Sequence, residues 1–144
     1  MQTLADAIRL AVEAHRHQLD KAGAPYYLHP LRVMLTMDSE EEMMVAVLHD
    51  LLEDTPHTPA TLRTLGYPEH VLHTLDLLSR REDESYDQFI DRLKPDPLAR
   101  RVKLADLEDN MDITRLADIT EKDLARLQRY LKAWRTLRAA TQGR

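Results

Sequence analysis

The segment HPLRVMLTMDSEEEMMVAVLHDLLEDTP (residues 29–56) carries the strongest fold signal in the chain. Ser39 with Glu42 forms a capping-box pattern, which predicts a helix start, and Pro56 predicts that the helix has ended by about Asp54. Apolar side chains cover nearly its whole surface: Met43, Met44, Val45, Ala46, Val47, Leu48, Leu51 and Leu52. A helix that is apolar all round is buried, so we predict a central core helix.

Helical periodicity and scarce glycine continue on both sides of this helix, which predicts an all-α fold. We expect a compact bundle of about eight helices in a single domain over residues 1–144. Pro30 suits the first turn of a helix, which would hold His29 just before it in an extended conformation. The other predicted helices cover residues 3–19, 59–65, 68–79, 85–94, 97–111 and 121–140.

The composition narrows the classes of function and location. The chain has no cysteine, which excludes disulfides and thiolate metal sites and favours a cytoplasmic protein. Its net charge of −5 argues against a general nucleic-acid binder. The N-terminus does not resemble a signal peptide, and no apolar run approaches the roughly 20 residues of a membrane helix, so we expect no membrane partner.

The last predicted helix carries one apolar face. Its members are Leu124, Leu127, Leu131 and Trp134. This face either completes the core or forms a homo-oligomer, and the sequence leaves both alternatives open.

Three carboxylates near the end of the core helix contradict the usual charge preference of helices. Asp50, Glu53 and Asp54 are carboxylates at a predicted C-terminus, where the helix dipole disfavours negative charge. A cation bound there would remove the conflict, and His49 next to Asp50 offers a second ligand type. The alternative is an exposed helix end with ordinary surface acids, and spacing alone does not separate the two.

Further ligand-type residues favour the metal site. His29 precedes Pro30, and the segment VKLADLEDN (residues 102–110) places Asp106 and Asn110 one turn apart. Lys103 lies three residues before Asp106 and is expected to face the same way. Two histidines with two aspartates suit a first-row divalent ion such as manganese, iron or zinc. His15, on the apolar stripe of the first helix, is interpreted as a hydrogen-bonded core residue.

Three segments together resemble the HD-type hydrolase domain of the RelA/SpoT homologue family, especially its small single-domain alarmone hydrolases. They are AHRHQLDKAGAPYYLHPLRV, AVLHDLLEDT and VKLADLEDNM, which span residues 14–111 in the family's order and approximate spacing.

The resemblance implies a helical fold around one Mn²⁺ ion. It implies His29, His49, Asp50 and Asp106 as the metal ligands. Glu53 and Asp54 would orient and activate the attacking water as catalytic residues. It implies Lys21 and Asn110 as contacts of the nucleotide substrate. Lys103, Tyr26 and Thr114 are further expected contacts because of their positions beside these residues in the sequence.

In this family the reaction removes the 3′-diphosphate from ppGpp and pppGpp, releasing pyrophosphate and GDP or GTP. The resemblance contains no synthetase domain, so hydrolysis alone is expected. Some small members act instead on adenosine alarmones or remove a phosphate from NADPH.

Two departures from the family pattern bear on the substrate. Asp20 stands where the family usually has an arginine expected to stack on guanine, and Glu108 and Asp109 make the third motif more acidic than usual. Three hypotheses follow: a guanosine alarmone hydrolase, the same chemistry on another nucleotide, or a catalytically silent nucleotide- or partner-binding domain. The Glu53–Asp54 pair argues against the last, since binding alone needs no water-activating group.

Overall fold

A computed structural model describes residues 1–143 of the protein. Within this range the chain forms nine α-helices and a 3₁₀ turn, and the predicted all-α fold is confirmed. The helices are α1 (Leu4–Ala14), α2 (Leu28–Leu35), α3 (Glu40–Leu48), α4 (Leu51–Asp54), α5 (Pro59–Leu65), α6 (Glu69–Leu77), α7 (Tyr86–Leu93), α8 (Pro97–Asn110) and α9 (Glu121–Gln142). The 3₁₀ turn covers Ile113–Arg115.

Local sequence signals set most helix starts. Capping boxes begin five helices, with Thr3, Ser39, Thr58, Ser85 and Thr120 as the N-caps. Each of these hydroxyls accepts a backbone N–H that the helix itself leaves without a partner. α8 begins with Asp96 as its N-cap and Pro97 in its first turn.

The predicted core helix lies at the centre of the molecule. α3 packs against α1, α2, α6 and α8, and α9 covers the outer side of α8. The side chains from Val45 to Leu48 are fully buried, and so is Leu51. This packing brings the C-terminal end of α3 next to the start of α2 and the middle of α8.

The prediction that the first helix reaches residue 19 was wrong. α1 ends at Ala14, and residues 18–26 instead form a hairpin-like loop. Its backbone bonds run from Tyr26 N to Gln18 O (2.9 Å) and from Asp20 N to Ala24 O (2.8 Å), across Gly23 at φ +85°. Backbone groups bonded across this loop are not available to a helix. Leu19, which fitted the helical spacing of the first helix, is therefore exposed.

The prediction of one continuous helix to Asp54 was also wrong. The chain breaks at His49 and Asp50, and a separate single turn, α4, follows. The His49 side chain supplies the reason, because its Nδ1 lies 2.6 Å from the Ala46 carbonyl oxygen. That carbonyl is the one the Asp50 amide would use in a continuous helix, so a side-chain bond replaces a helix bond.

His29 is helical and not extended as predicted, since α2 begins one residue earlier at Leu28. Pro30 therefore occupies the first turn, where the missing N–H removes no bond of the helix. The consequence is that the His29 side chain is directed by a helix turn packed on the core, and the residue is only 4% exposed.

Candidate metal centre and adjoining pocket

Four side chains from three elements converge at the junction of α2, the α3–α4 break and α8. One ligand-type atom from each of His29, His49, Asp50 and Asp106 lies within 4.8 Å of the others. Asp106 Oδ1 is 2.7 Å from His29 Nε2 and 3.2 Å from His49 Nε2. The structure thus brings together all four residues that the sequence analysis selected as ligands.

The outer nitrogens of both imidazoles are held by hydrogen-bond acceptors. His29 Nδ1 donates to Asp109 Oδ2 at 2.6 Å, and His49 Nδ1 donates to the Ala46 carbonyl at 2.6 Å. These bonds fix the orientation of both rings and direct both Nε2 atoms toward Asp106. Metal-binding histidines are oriented in this way, with the second ring nitrogen donating to a carboxylate or a backbone carbonyl.

The charges around the two histidines favour positive charge between them. Burial disfavours a charged His29, but the hydrogen bonds to Asp106 and Asp109 outweigh it and raise its pKa to about 10. The pKa of His49 is also raised, because the charges of Asp50 and Asp106 outweigh its burial. Two nitrogen and two carboxylate donors around a common point form a set that suits a divalent ion in place of these protons.

Asp106 is buried and is held from several sides. Lys103 Nζ donates to its Oδ2 at 2.8 Å, and Asn110 Nδ2 donates to its Oδ1 at 3.1 Å. Burial alone would raise the pKa of Asp106, but the charges of Lys103 and His49 hold it well below its usual range. Asp106 is therefore an ionised donor at neutral pH.

The two predicted catalytic carboxylates sit on α4, immediately beside the four donors. Burial raises the pKa of both Glu53 and Asp54, and the charge of Asp50 adds to the effect on each. The backbone amide of Arg80 donates to the Glu53 carboxylate. A raised pKa suits a carboxylate that accepts a proton from water.

A cavity of about 360 Å³ opens next to the four donors. It lies between the residue 18–26 loop, α2, the end of α8 and α9. Its lining includes His29 itself, so a molecule in the cavity would reach the cluster. The main polar residues of the lining are Lys21, Tyr26, Arg32, Asn110, Asp112, Arg115, Asp123, Arg126 and Tyr130.

Three of the five predicted substrate contacts line this cavity, namely Lys21, Tyr26 and Asn110. The Tyr26 hydroxyl also donates to Asp50 Oδ2 at 2.5 Å. Lys103 lies outside the lining because its ammonium is bonded to Asp106 and stands 5.1 Å from the centre of the Phe89 ring. Thr114 is exposed and bonded to Asp112, since the 3₁₀ turn presents Arg115 to the cavity instead.

Asp20 has a local structural role. Its Oδ1 accepts the backbone N–H groups of Ala22 and Ala24, each at 2.9 Å. These bonds close the loop that carries Lys21, which is a typical use of aspartate in turns. The side chain is therefore occupied within its own loop, although the residue lines the cavity.

Asp109 is the main site residue that the sequence analysis did not select. It orients His29 and binds Arg32 with two bonds, from Nε at 2.8 Å and Nη2 at 3.0 Å. Its position three residues after Asp106 was a usable signal, because that spacing puts both carboxylates on one helix face. Arg126 and Tyr130 of α9 were also missed, since the sequence did not indicate that α9 reaches the cavity.

Known proteins share sequence and fold with this chain. No family model matches the chain. A guanosine-3′,5′-bis(diphosphate) 3′-pyrophosphohydrolase of Aquifex aeolicus is 31% identical over 117 residues, which cover 73% of this chain and 17% of that protein. The bifunctional (p)ppGpp synthase/hydrolase SpoT of Escherichia coli is 31% identical over 125 residues, 77% of this chain and 18% of that protein.

A probable GTP pyrophosphokinase of Mycobacterium leprae is 33% identical over 119 residues, 73% of this chain and 15% of that protein. The chain thus spans less than a fifth of the length of the curated relatives it matches.

Among the solved structures that share the fold, one matches nearly the whole chain. It is a metazoan orthologue of SpoT, described as hydrolysing ppGpp and acting in starvation responses. The TM-score is 0.79 with 23% sequence identity, over 95% of this chain and 86% of that one.

Within residues 1–143, no helix combines the length and the apolar character that crossing a membrane requires.

Proposed function

The chain belongs to the RelA/SpoT homologue family, and from that premise we propose that it is a Mn²⁺-dependent hydrolase of guanosine alarmones. The reaction removes the 3′-diphosphate of ppGpp or pppGpp and releases pyrophosphate. The observation that carries the proposal is the convergence of His29, His49, Asp50 and Asp106 beside a cavity of nucleotide size. Residues 1–144 act here as a single HD-type phosphohydrolase domain.

Each residue has a defined role in this proposal. His29, His49, Asp50 and Asp106 hold the ion, which when bound supplies a more acidic water and polarises a phosphoryl oxygen. Glu53 and Asp54 orient the attacking water and accept its proton, which their raised pKa values favour.

The remaining roles concern the substrate and the ligand geometry. Lys21 and Asn110 contact the nucleotide in the cavity, and Tyr26 holds Asp50 in place. Lys103 acts on Asp106 instead of on the substrate, because its ammonium is buried against that carboxylate. The cation of Lys103 also offsets part of the negative charge around the site, which favours an anionic substrate.

One observation favours a second candidate, the same chemistry on an adenosine alarmone or on NADPH. The position that carries a guanine-stacking arginine in the family is Asp20, and its carboxylate is bonded to Ala22 and Ala24. Guanine recognition would then need other groups of the lining. The base preference must therefore be measured separately from the reaction type.

The test is pyrophosphate and phosphate release by the purified protein with Mn²⁺, using ppGpp, pppGpp, pppApp and NADPH in parallel. EDTA treatment should abolish release, and Mn²⁺ should restore it. Glu53→Gln should lower kcat by about a hundredfold to ten thousandfold, the usual contribution of a general base. Glutamine still accepts the Arg80 amide, so the fold around residue 53 should persist.

Glu82→Gln is the matched control, because Glu82 is an exposed acid of the neighbouring loop. Release only from pppApp or NADPH would change the assigned substrate and leave the proposed reaction type unchanged. Full activity of the Glu53→Gln variant would contradict the proposed mechanism. No turnover of any of the four substrates would support a binding domain.

A further inference from the structure

His15 is a buried histidine that the proposed mechanism does not use. It follows the last residue of α1 and is 0% exposed. Its Nδ1 lies 2.8 Å from Gln18 Oε1, and its ring centre lies 5.3 Å from that of Tyr26. Tyr26 in turn donates to Asp50, so His15 stands directly behind the proposed metal site.

Gln18 connects this histidine to the segment that carries Asp54. Its Nε2 donates to the Asp54 carbonyl oxygen at 2.9 Å, across 36 positions of sequence. The amide nitrogen is therefore committed to Asp54, and the amide oxygen must accept from His15. This assigns the proton of His15 to Nδ1 and leaves a lone pair on Nε2.

A purely structural role does not explain an imidazole at this position. Within residues 1–143, Nε2 of His15 has no hydrogen-bond partner. A buried acceptor without a partner costs about 1–3 kcal/mol, whereas an apolar ring would fill the same space without that cost. The useful feature of His15 is therefore the N–H at Nδ1, which holds Gln18.

Asp54 needs an external support more than Glu53 does. The Glu53 carboxylate accepts the Arg80 amide directly, but the Asp54 carboxylate forms no hydrogen bond or ion pair with another side chain in the described part of the chain. Asp54 also ends α4, a helix of only four residues. Its position depends on its backbone, and Gln18 is the distant residue that binds that backbone.

We propose that His15 and Gln18 are positioning residues that hold the Asp54 carboxylate in place for the attacking water. This inference rests on the proposed function, which assigns the proton-accepting role to Glu53 and Asp54. His15 touches neither substrate nor metal and acts through Gln18. Misplacing a catalytic group by about 1 Å can cost about a hundredfold in rate, so a small shift of α4 is sufficient to matter.

Two amide substitutions of His15 separate the role of Nδ1 from simple packing. The amide nitrogen of asparagine lies near the position of Nδ1, and that of glutamine lies near the position of Nε2. His15→Asn should keep the bond to Gln18, and His15→Gln should lose it. Gln18→Glu is a third variant, since its carboxylate still accepts from His15 but no longer donates to Asp54.

The expected result is a loss of kcat by about ten- to a hundredfold in His15→Gln and Gln18→Glu, with KM and Mn²⁺ affinity within about twofold of the wild type. His15→Asn should stay within about threefold on all three values. Hydrogen exchange at the amides of Asp54 and Thr55 should speed up in the two impaired variants alone. His17→Gln, an exposed histidine two residues on, is the matched control.

Equal activity of His15→Asn and His15→Gln would overturn the proposal. A loss of kcat that only follows the unfolded fraction, measured by denaturant titration, would overturn it as well. If the wild type turns over none of the nucleotides, the proposed function fails by itself. Hydrogen exchange still decides then whether His15 holds α4, because that measurement needs no substrate.

Discussion

The four-donor cluster and the cavity beside it are built in opposite ways. In the cluster each donor is held by a mostly buried neighbour: Asp109 for His29, the Ala46 carbonyl for His49, Tyr26 for Asp50 and Lys103 for Asp106. In the cavity a cation pairs with an acid at the surface, as Arg115 does with Asp112. Such exposed pairs contribute little and exchange easily with water or a ligand.

This difference indicates that two functions depend on two different parts of the molecule. The geometry of the metal ligands depends on core packing, and substrate selection depends on a loop and two helix surfaces. Substitutions in the cluster should therefore damage metal binding and stability together, whereas substitutions in the cavity should change substrate affinity alone. Three variants test this contrast, in order of decreasing expected effect.

Asp106→Asn should have the largest effect. The substitution removes one charged donor and leaves the Lys103 ammonium buried without its partner, which costs about 3–5 kcal/mol of unfolding free energy. Mn²⁺ affinity should fall by more than about a hundredfold, since even partners outside the ligand set contribute up to that much. Denaturant unfolding and calorimetric Mn²⁺ titration measure the two effects.

The exposed Asp118→Asn provides the control, and it should change neither value. If Asp106→Asn bound Mn²⁺ as tightly as the wild type, the cluster would not be the metal site.

Asp109→Asn should have an intermediate effect. It weakens the acceptor that orients His29 and breaks the charged pair with Arg32, but leaves all four donors present. We expect Mn²⁺ affinity to fall by about ten- to a hundredfold, measured by the same titration. Asp112→Asn, an exposed acid three residues on, should leave the affinity unchanged, and an equal loss in both variants would argue for a general charge effect.

Lys21→Met should have the smallest effect and a different character. Lys21 is exposed and lines the cavity, so its loss should raise KM by about tenfold, near 1.4 kcal/mol, with kcat within about twofold. The difference from the wild type should shrink as NaCl is raised, because salt screens exposed charges. Lys122→Met is the exposed control, and a fall in kcat instead of a rise in KM would place Lys21 nearer the reacting atoms.

Part of the candidate site was predictable because its residues lie in regular local patterns. His49 and Asp50 follow the apolar second half of α3, and Asp106 and Asn110 share a helix face through their spacing of four. Asp109 belonged to the same face and could have been included. Arg126 and Tyr130 could not, because nothing in the periodicity of α9 indicates which neighbour its polar face meets.

The sequence by itself determined the helical composition, most helix starts and the ligand-type residues, because caps, prolines and apolar periodicity act over a few neighbouring positions. The tertiary structure alone decided the break at His49 and Asp50, the helical start at Leu28 and the loop over residues 18–26. The loop and the start of α2 are held by long-range contacts, Gln18 with Asp54 and His29 with Asp109. The break uses the local bond of His49 to the Ala46 carbonyl oxygen, and the same ring also contacts Asp106, 57 positions away. A side chain that bonds a residue 36 or 80 positions away competes with local backbone preferences, and no local pattern records the outcome.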